Sequence, residues 1–308
     1  MTSSAGGAPL VAGRLPDDVR GGLLIVLGGL CFTGVAAIIK ALGGELSVPV
    51  IALWRHIFAL ACFAPLMVVR HGIGGLRTHR YFSHFYRGLF GFISFYGGIY
   101  ALARLTLADA TALSFTAPLW SLLLAVGFLG DRVRPSRWFA VAIGFGGVLL
   151  IARPGTSRLD PAMLVALGAA LFSSLAMMKV KQLSATEPPD RITFYFLANG
   201  LLIGLVPALA TWGTPNATQL TLLAAMGALS CVGQMFLTRG YALGQFSKVA
   251  PMDFCRLPLA ILLGLALFGE RPDLLALAGM AVIVGASLFI LLSRAAPRAA
   301  AVPVTEKV

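Results

Sequence analysis

The stretch Tyr100–Arg134, YALARLTLADATALSFTAPLWSLLLAVGFLGDRVR, returns in altered form as Tyr241–Pro272, YALGQFSKVAPMDFCRLPLAILLGLALFGERP. Both copies open Tyr-Ala-Leu and cross a short polar hinge, Leu105–Asp109 in one and Phe246–Val249 in the other. Both then enter an apolar run with an internal proline, Pro118 or Pro258, and leave through Gly130-Asp131-Arg132 or Gly269-Glu270-Arg271. The tyrosines lie 141 residues apart, the prolines 140 and the glycines 139, so two short gaps align the copies. An internal repeat governs the fold, and in a membrane chain it points to a transporter.

Composition puts the chain in lipid. Hydrophobic residues make up 58% and charged residues 12%, with a mean hydropathy of +0.88; a soluble domain carries roughly 25% charged residues. The net charge of +12 sits in short loops between apolar runs, which favours a membrane protein over a nucleic-acid partner. Cys31, Cys62, Cys231 and Cys255 lie inside apolar runs without metal or disulfide spacing and are expected as buried thiols. No metal or cofactor is called for.

A crossing helix needs about 20 apolar residues. Ten stretches qualify: 21–43, 48–69, 82–103, 108–129, 136–152, 161–180, 192–212, 217–240, 248–268 and 273–293. None alternates like a barrel strand, so the fold class is all-α integral membrane. With the N-terminus inside, most Lys and Arg, Arg87 among them, fall on the inner side, and the outer loops keep Arg104, Arg153, Arg158 and Arg271. Both termini are thus expected in the cytoplasm. The repeat extends outward, Phe32, Lys40 and Pro49 matching Phe172, Lys179 and Pro188. This gives a disordered tail 1–20, a first five-helix repeat 21–152, a linker 153–159, a second repeat 160–293 and a tail 294–308. Five spans per repeat invert the second relative to the first.

The motif Leu113–Pro118, followed by Gly130-Asp131-Arg132 and Phe145–Leu150, resembles the EamA branch of the drug/metabolite transporter superfamily. The resemblance covers nearly the whole chain. It implies alternating-access transport of a small molecule across a bacterial inner membrane, without enzymatic activity. The branch includes carriers of riboflavin and S-adenosylmethionine and exporters of amino acids. Export of aromatic or other neutral amino acids, of the YddG kind, is the first expectation; another metabolite, or a lipid carrier of the same fold, is the alternative. The third, fourth, eighth and ninth spans would line the cavity, and a monomer is expected.

Charge inside a span costs roughly 2.5–3.5 kcal/mol, so such residues tend to face wet cavities. Asp253 and Arg256 stand one helical turn apart: either they pair, or Arg256 holds a substrate carboxylate while Asp253 holds an amine or a proton. Arg55, between Trp54 and His56, is a second basic candidate or a snorkelling residue. His56 and Asp253 are the proton-site candidates, and facilitated transport or weak coupling is expected. Tyr96 and Tyr100 share a helix face with Phe92 and offer stacking or mere packing. Gln234, Ser114 and Trp120 complete the expected lining. Pro118 and Pro258 should kink their spans as hinges. Gly144, Gly146, Gly147, Gly279 and Gly285 are expected to let helices approach closely.

Overall fold

Prolines and glycines cut this apolar chain into helices. In the computed structural model, residues 16–129, 135–153, 160–183, 185–243 and 250–292 are described. α1 (Asp17–Leu42) begins a few residues before the apolar run. α2 (Val48–His71) starts with proline in its first turn, where no backbone N–H is needed, and stops at Gly72 with φ +63°. α3 (Tyr81–Arg104) comes after a short 3-10 turn.

The fourth apolar run is not one helix. α4 (Leu107–Ser114) is opened by a reciprocal cap, in which Asp109 N–H donates to the Thr106 hydroxyl and that hydroxyl donates to the Asp109 carboxylate. Phe115 and Thr116 form a turn, and α5 (Ala117–Leu129) then begins. Pro118 has no N–H for the Ser114 carbonyl, so the break falls just ahead of it. α6 (Pro135–Ala152), α7 (Pro161–Leu183) and α8 (Pro189–Ala210) each start at a proline, and α9 is Ala217–Leu243. A 3-10 segment, Ala250–Cys255, leads into α10 (Arg256–Phe268), which ends on left-handed Gly269; α11 is Leu274–Leu292. Both prolines expected to kink a helix therefore sit in the first turn of a 13-residue helix behind a break. This corrects the expectation: a helix that restarts can place the proline where its missing donor costs nothing.

Among the described residues, six stretches are long and apolar enough to cross a membrane: Val19–Leu42, Val48–His71, Leu107–Leu124, Pro161–Val180, Pro189–Ala210 and Ala217–Leu237. Trp138–Ala152 and Leu274–Phe289 are apolar but shorter. Leu164, Leu202, Val206 and Leu274 stand outward on these helices, and Leu262 and Leu267 on α10. Water would penalise that much exposed apolar surface, whereas lipid tails do not.

Polar contacts join the helix ends in two groups. At one end Lys40 pairs with Glu270 at 2.7 Å, the Ser47 hydroxyl donates to the Thr211 carbonyl, and Arg153 pairs with Asp273. At the other, His71 meets Asp190, Thr78 donates to Glu187, and Arg191 bonds both Glu187 and the Gly75 carbonyl. Successive long helices thus run in alternating directions. Their packing comes in matching sets. α1 lies along α9 and α3 along α7; α2 meets α9 and α3 meets α8; α5 leans on α7, and α10 with its leading turn on α1. α2 packs on α8, α6 on α11 and α4 on α10.

The α6–α11 crossing is set by glycine. A Cβ on Gly147 would stand 2.8 Å from the Gly279 carbonyl oxygen, and one on Gly279 2.7 Å from that of Gly147. Gly144 faces Leu119 closely, as expected, but Gly146 and Gly285 meet nothing within 4 Å, so only part of the glycine set serves packing. Cys62 is exposed, against the expectation of burial, because its face of α2 points out of the bundle; all four thiols are free.

Candidate functional site

Two buried arginines, one on α2 and one on α3, lie inside the bundle. These helices run in opposite directions, and Arg55 and Arg87 each lie about 10 Å along their helix from opposite ends. Their side chains converge on the Phe196 ring of α8, with guanidinium carbons 5.7 Å (Arg55) and 4.3 Å (Arg87) from its centroid. The two carbons are therefore no more than 10 Å apart. Arg55 is also stacked on Phe95 at 4.1 Å. Both arginines are buried, at 4% and 8% exposure.

Neutral groups fix Arg55. Its Nε donates to the Ser230 hydroxyl of α9 at 3.2 Å, and one terminal nitrogen lies 3.3 Å from His56 Nε2. His56 Nδ1 is 2.7 Å from the Ala52 carbonyl oxygen. That oxygen can only accept, so Nδ1 carries the imidazole proton and Nε2 accepts from Arg55. His56 is itself sealed, its ring 5.8 Å from Phe92, 5.7 Å from Phe95 and 5.9 Å from Phe196. Gly200 makes room for it: a Cβ there would sit 2.3 Å from Nε2. Arg87 lies along its own helix over Gly91, and its Nε is buried without a hydrogen-bond partner. Two unit charges 10 Å apart at an effective dielectric of 20 repel by about 1.7 kcal/mol, and burying each adds several kcal/mol.

The other anticipated residues are spread along the bundle. Arg256 pairs with Asp253 at 3.3 Å, one turn apart, with its guanidinium 5.8 Å from the Phe32 ring and 5.9 Å from that of Phe115. Gly29 of α1 lets Arg256 cross that helix, since a Cβ there would touch Arg256 Cγ at 2.9 Å. Asp253 Oδ1 and Arg256 Nε are buried without hydrogen bonds. Gln234 lines a cavity of about 30 Å³, large enough for one water, with Arg70, Asp190, Thr193 and Arg239 at one end of the bundle. Tyr96 reaches the arginine cluster only through Phe92, 5.9 Å away. Tyr100 lies under the Arg104 guanidinium at 3.9 Å, beside a cleft of about 210 Å³ at the other end, lined by Arg104, Thr106, Asp109 and Asp160. Trp120 sets its edge on Phe145 of α6 at 5.0 Å, and Ser114 is exposed, its hydroxyl donating to the Thr111 carbonyl.

The structure therefore brings together Arg55, His56 and, at one remove, Tyr96. It does not bring Arg256, Gln234, Tyr100, Trp120 or Ser114 to that cluster. Arg87, the second member, reads in the sequence as an inner-loop residue, because a cation near the end of an aromatic run looks like a boundary. It lies inside α3, and its spacing of four residues from Gly91 was the available signal.

At the end opposite the Lys40–Glu270 pair, Glu187 accepts from Thr78 at 2.6 Å and from Arg191 at 2.6 Å. Burial pushes its carboxyl up, but the Thr78 and Arg191 hydrogen bonds and the Arg191 charge outweigh burial and hold it below its ordinary value.

Helices apolar enough to cross a bilayer, with charge buried between them, define an integral membrane protein. The two halves of the chain, residues 19–153 and 160–292, each match the EamA-like transporter family, and the chain belongs to that family. It is 34% identical over 280 residues to a riboflavin transporter of Rhizobium johnstonii, covering 89% of this chain and 91% of that one. It is 30% identical over 256 residues to an S-adenosylmethionine uptake transporter of Rickettsia felis, covering 82% and 86%. It is also 30% identical over 284 residues to the pseudopaline exporter CntI of Pseudomonas aeruginosa, covering 87% and 94%. A solved crystal structure superposes with a TM-score of 0.62 at 19% identity, covering 88% of this chain and 96% of that one, which speaks for the fold alone.

Proposed function

We propose that the chain is an alternating-access carrier of a small ring-bearing metabolite, of the size of riboflavin or S-adenosylmethionine, in a bacterial inner membrane with both termini cytoplasmic. The observation that carries this reading is the sealed Arg55–His56–Arg87 cluster, clamped by Phe95 and Phe196, inside an apolar bundle. Buried charge in a membrane bundle marks a substrate path, and aromatic faces suit a planar ring.

The architecture behind it is ten spans in two inverted five-helix repeats. Under such a repeat α1, α2 and α3 exchange with α7, α8 and α9, the broken pair α4–α5 with the 3-10 segment and α10, and α6 with α11. The most extensive pairings then turn into observed counterparts, α1–α9 into α7–α3, α2–α9 into α8–α3 and α5–α7 into α10–α1, which supports the reading. The breaks ahead of Pro118 and Pro258 would be the hinges by which the halves alternate. The Asp253–Arg256 pair would stiffen the second hinge rather than bind substrate.

Amino-acid export is the second reading, favoured by the two arginines, which suit a carboxylate. The relatives that carry riboflavin, S-adenosylmethionine and pseudopaline favour the first. Flux of labelled riboflavin, S-adenosylmethionine, phenylalanine and leucine into and out of liposomes containing the purified protein decides between them. Flux of either of the first two, and none of the amino acids, is expected. Exclusive movement of amino acids would favour the second reading, and absence of flux for all four would count against both.

A further inference from the structure

We infer that Arg55 and Arg87 form a binding site for an organic anion, a carboxylate or phosphate attached to an aromatic ring. The inference deepens the carrier reading and rests on it for the transport of the bound anion. Arginine offers five N–H donors in a fixed fork. Arg55 commits its Nε to Ser230 and one donor to His56, which leaves the rest of its fork open. Arg87 makes no hydrogen bond to any described residue; the Phe196 ring and the glycine at position 91 only set its plane.

No described carboxylate answers these cations. Asp253 is held by Arg256, Asp190 by His71, Glu187 by Thr78 and Arg191, and Glu270 by Lys40. His56 adds no charge of its own, because its proton sits on Nδ1 and its other nitrogen faces Arg55. The cluster thus holds two positive charges, rigidly oriented and unmatched, deep in an apolar bundle. Removing one partner of a buried ion pair is strongly destabilising, and here the partner is missing on both sides. An arriving anion supplies it, and two forks can hold a carboxylate or phosphate from opposite sides. Phe92, Phe95 and Phe196 then offer faces to the attached ring. The cluster is closed in this conformation, so the anion would enter as the helices part.

The test uses the full chain in detergent, with benzoate and phenyl phosphate as anionic ring probes, benzyl alcohol as the neutral one, and chloride at matched ionic strength as the control. Thermal unfolding and equilibrium titration are read for the wild type, Arg87→Lys and Arg87→Gln. The anionic probes are expected to bind and to raise the unfolding midpoint, and the neutral probe and chloride are not. Affinity should fall at least tenfold in Arg87→Lys, which keeps the charge without the fork, and be lost in Arg87→Gln. Ligand-free Arg87→Gln should be as stable as the wild type or more so, because an unmatched buried charge has gone; a merely structural arginine would give the opposite.

Equal binding of anionic and neutral probes by the wild type, or retained binding with lost stability in Arg87→Gln, overturns the inference. If Arg87→Gln does not fold, that counts as lost stability, and Arg87→Lys together with Arg55→Lys carries the affinity comparison. Anion binding without flux of any substrate would leave this site standing and sink the carrier reading. Flux without any binding of the anionic probes would do the reverse.

Discussion

Glu270 closes one end of the bundle with unusually few atoms. One carboxylate oxygen pairs with Lys40 at 2.7 Å and the other accepts the Leu107 N–H at 2.7 Å, while Lys40 also donates to the Leu105 carbonyl. The end of α1, the link before α4 and the link after α10 are tied together through that one side chain. The side chains are 16% and 11% exposed. At an effective dielectric of 20, unit charges 2.7 Å apart attract by about 6 kcal/mol, and desolvation offsets much of it. Glu270→Gln keeps the shape and the bond to Leu107 but strands the lysine charge. Its expected cost is about 3 kcal/mol, the lower part of the range for breaking a buried pair. For a chain of this size that corresponds to a drop of roughly 5 °C in the unfolding midpoint. Thermal unfolding of Glu270→Gln, Lys40→Met and the double variant completes the cycle. The double variant should be less damaged than the two single losses added together. Strict additivity, or a single-variant loss under about 0.5 kcal/mol, would refute the latch.

Other perturbations reach other parts of the account. Gly279→Ala pushes a methyl into the Gly147 carbonyl and should destabilise by about 1–3 kcal/mol in detergent unfolding, while Gly285→Ala, facing open space, should be neutral. Asp253→Asn with Arg256→Gln should be better tolerated than either change alone, measured as flux and stability together, because the two charges answer each other. The Glu187 carboxyl is lowered by folding, so its contribution is fully present above its ordinary value and is lost as pH falls through the lowered folded value. Thermal stability against pH should therefore fall on the acid side in the wild type and more weakly in Glu187→Gln.

The sequence discloses the features that are local or periodic. The Asp253–Arg256 pair comes from spacing within one segment, and the repeat around Pro118 and Pro258 and the run of apolar helices from patterns that recur along the chain; both survive in a string of letters. Breaks read as kinks because a proline in mid-run looks the same whether the helix bends there or restarts just before it. The pairing of Arg55 with Arg87 was not legible. It depends on two antiparallel helices meeting on Phe196, more than a hundred residues further on. Lys40–Glu270 and Thr78–Glu187 escaped for the same reason, since each joins the ends of elements far apart in the chain.

In the proposed carrier the Arg55–Arg87 cluster lies on a path that opens alternately to the two sides of the membrane. Ser230 marks that cluster, touching Arg55 at 3.2 Å and buried in the closed bundle. With Cys31, Cys62, Cys231 and Cys255 replaced by Ala or Ser, a single Ser230→Cys can be probed in oriented vesicles by a membrane-impermeant maleimide applied to either face. Labelling is expected from both faces, slowed by saturating transported substrate. No labelling from either face, at any substrate concentration and in a preparation that still transports, would contradict it.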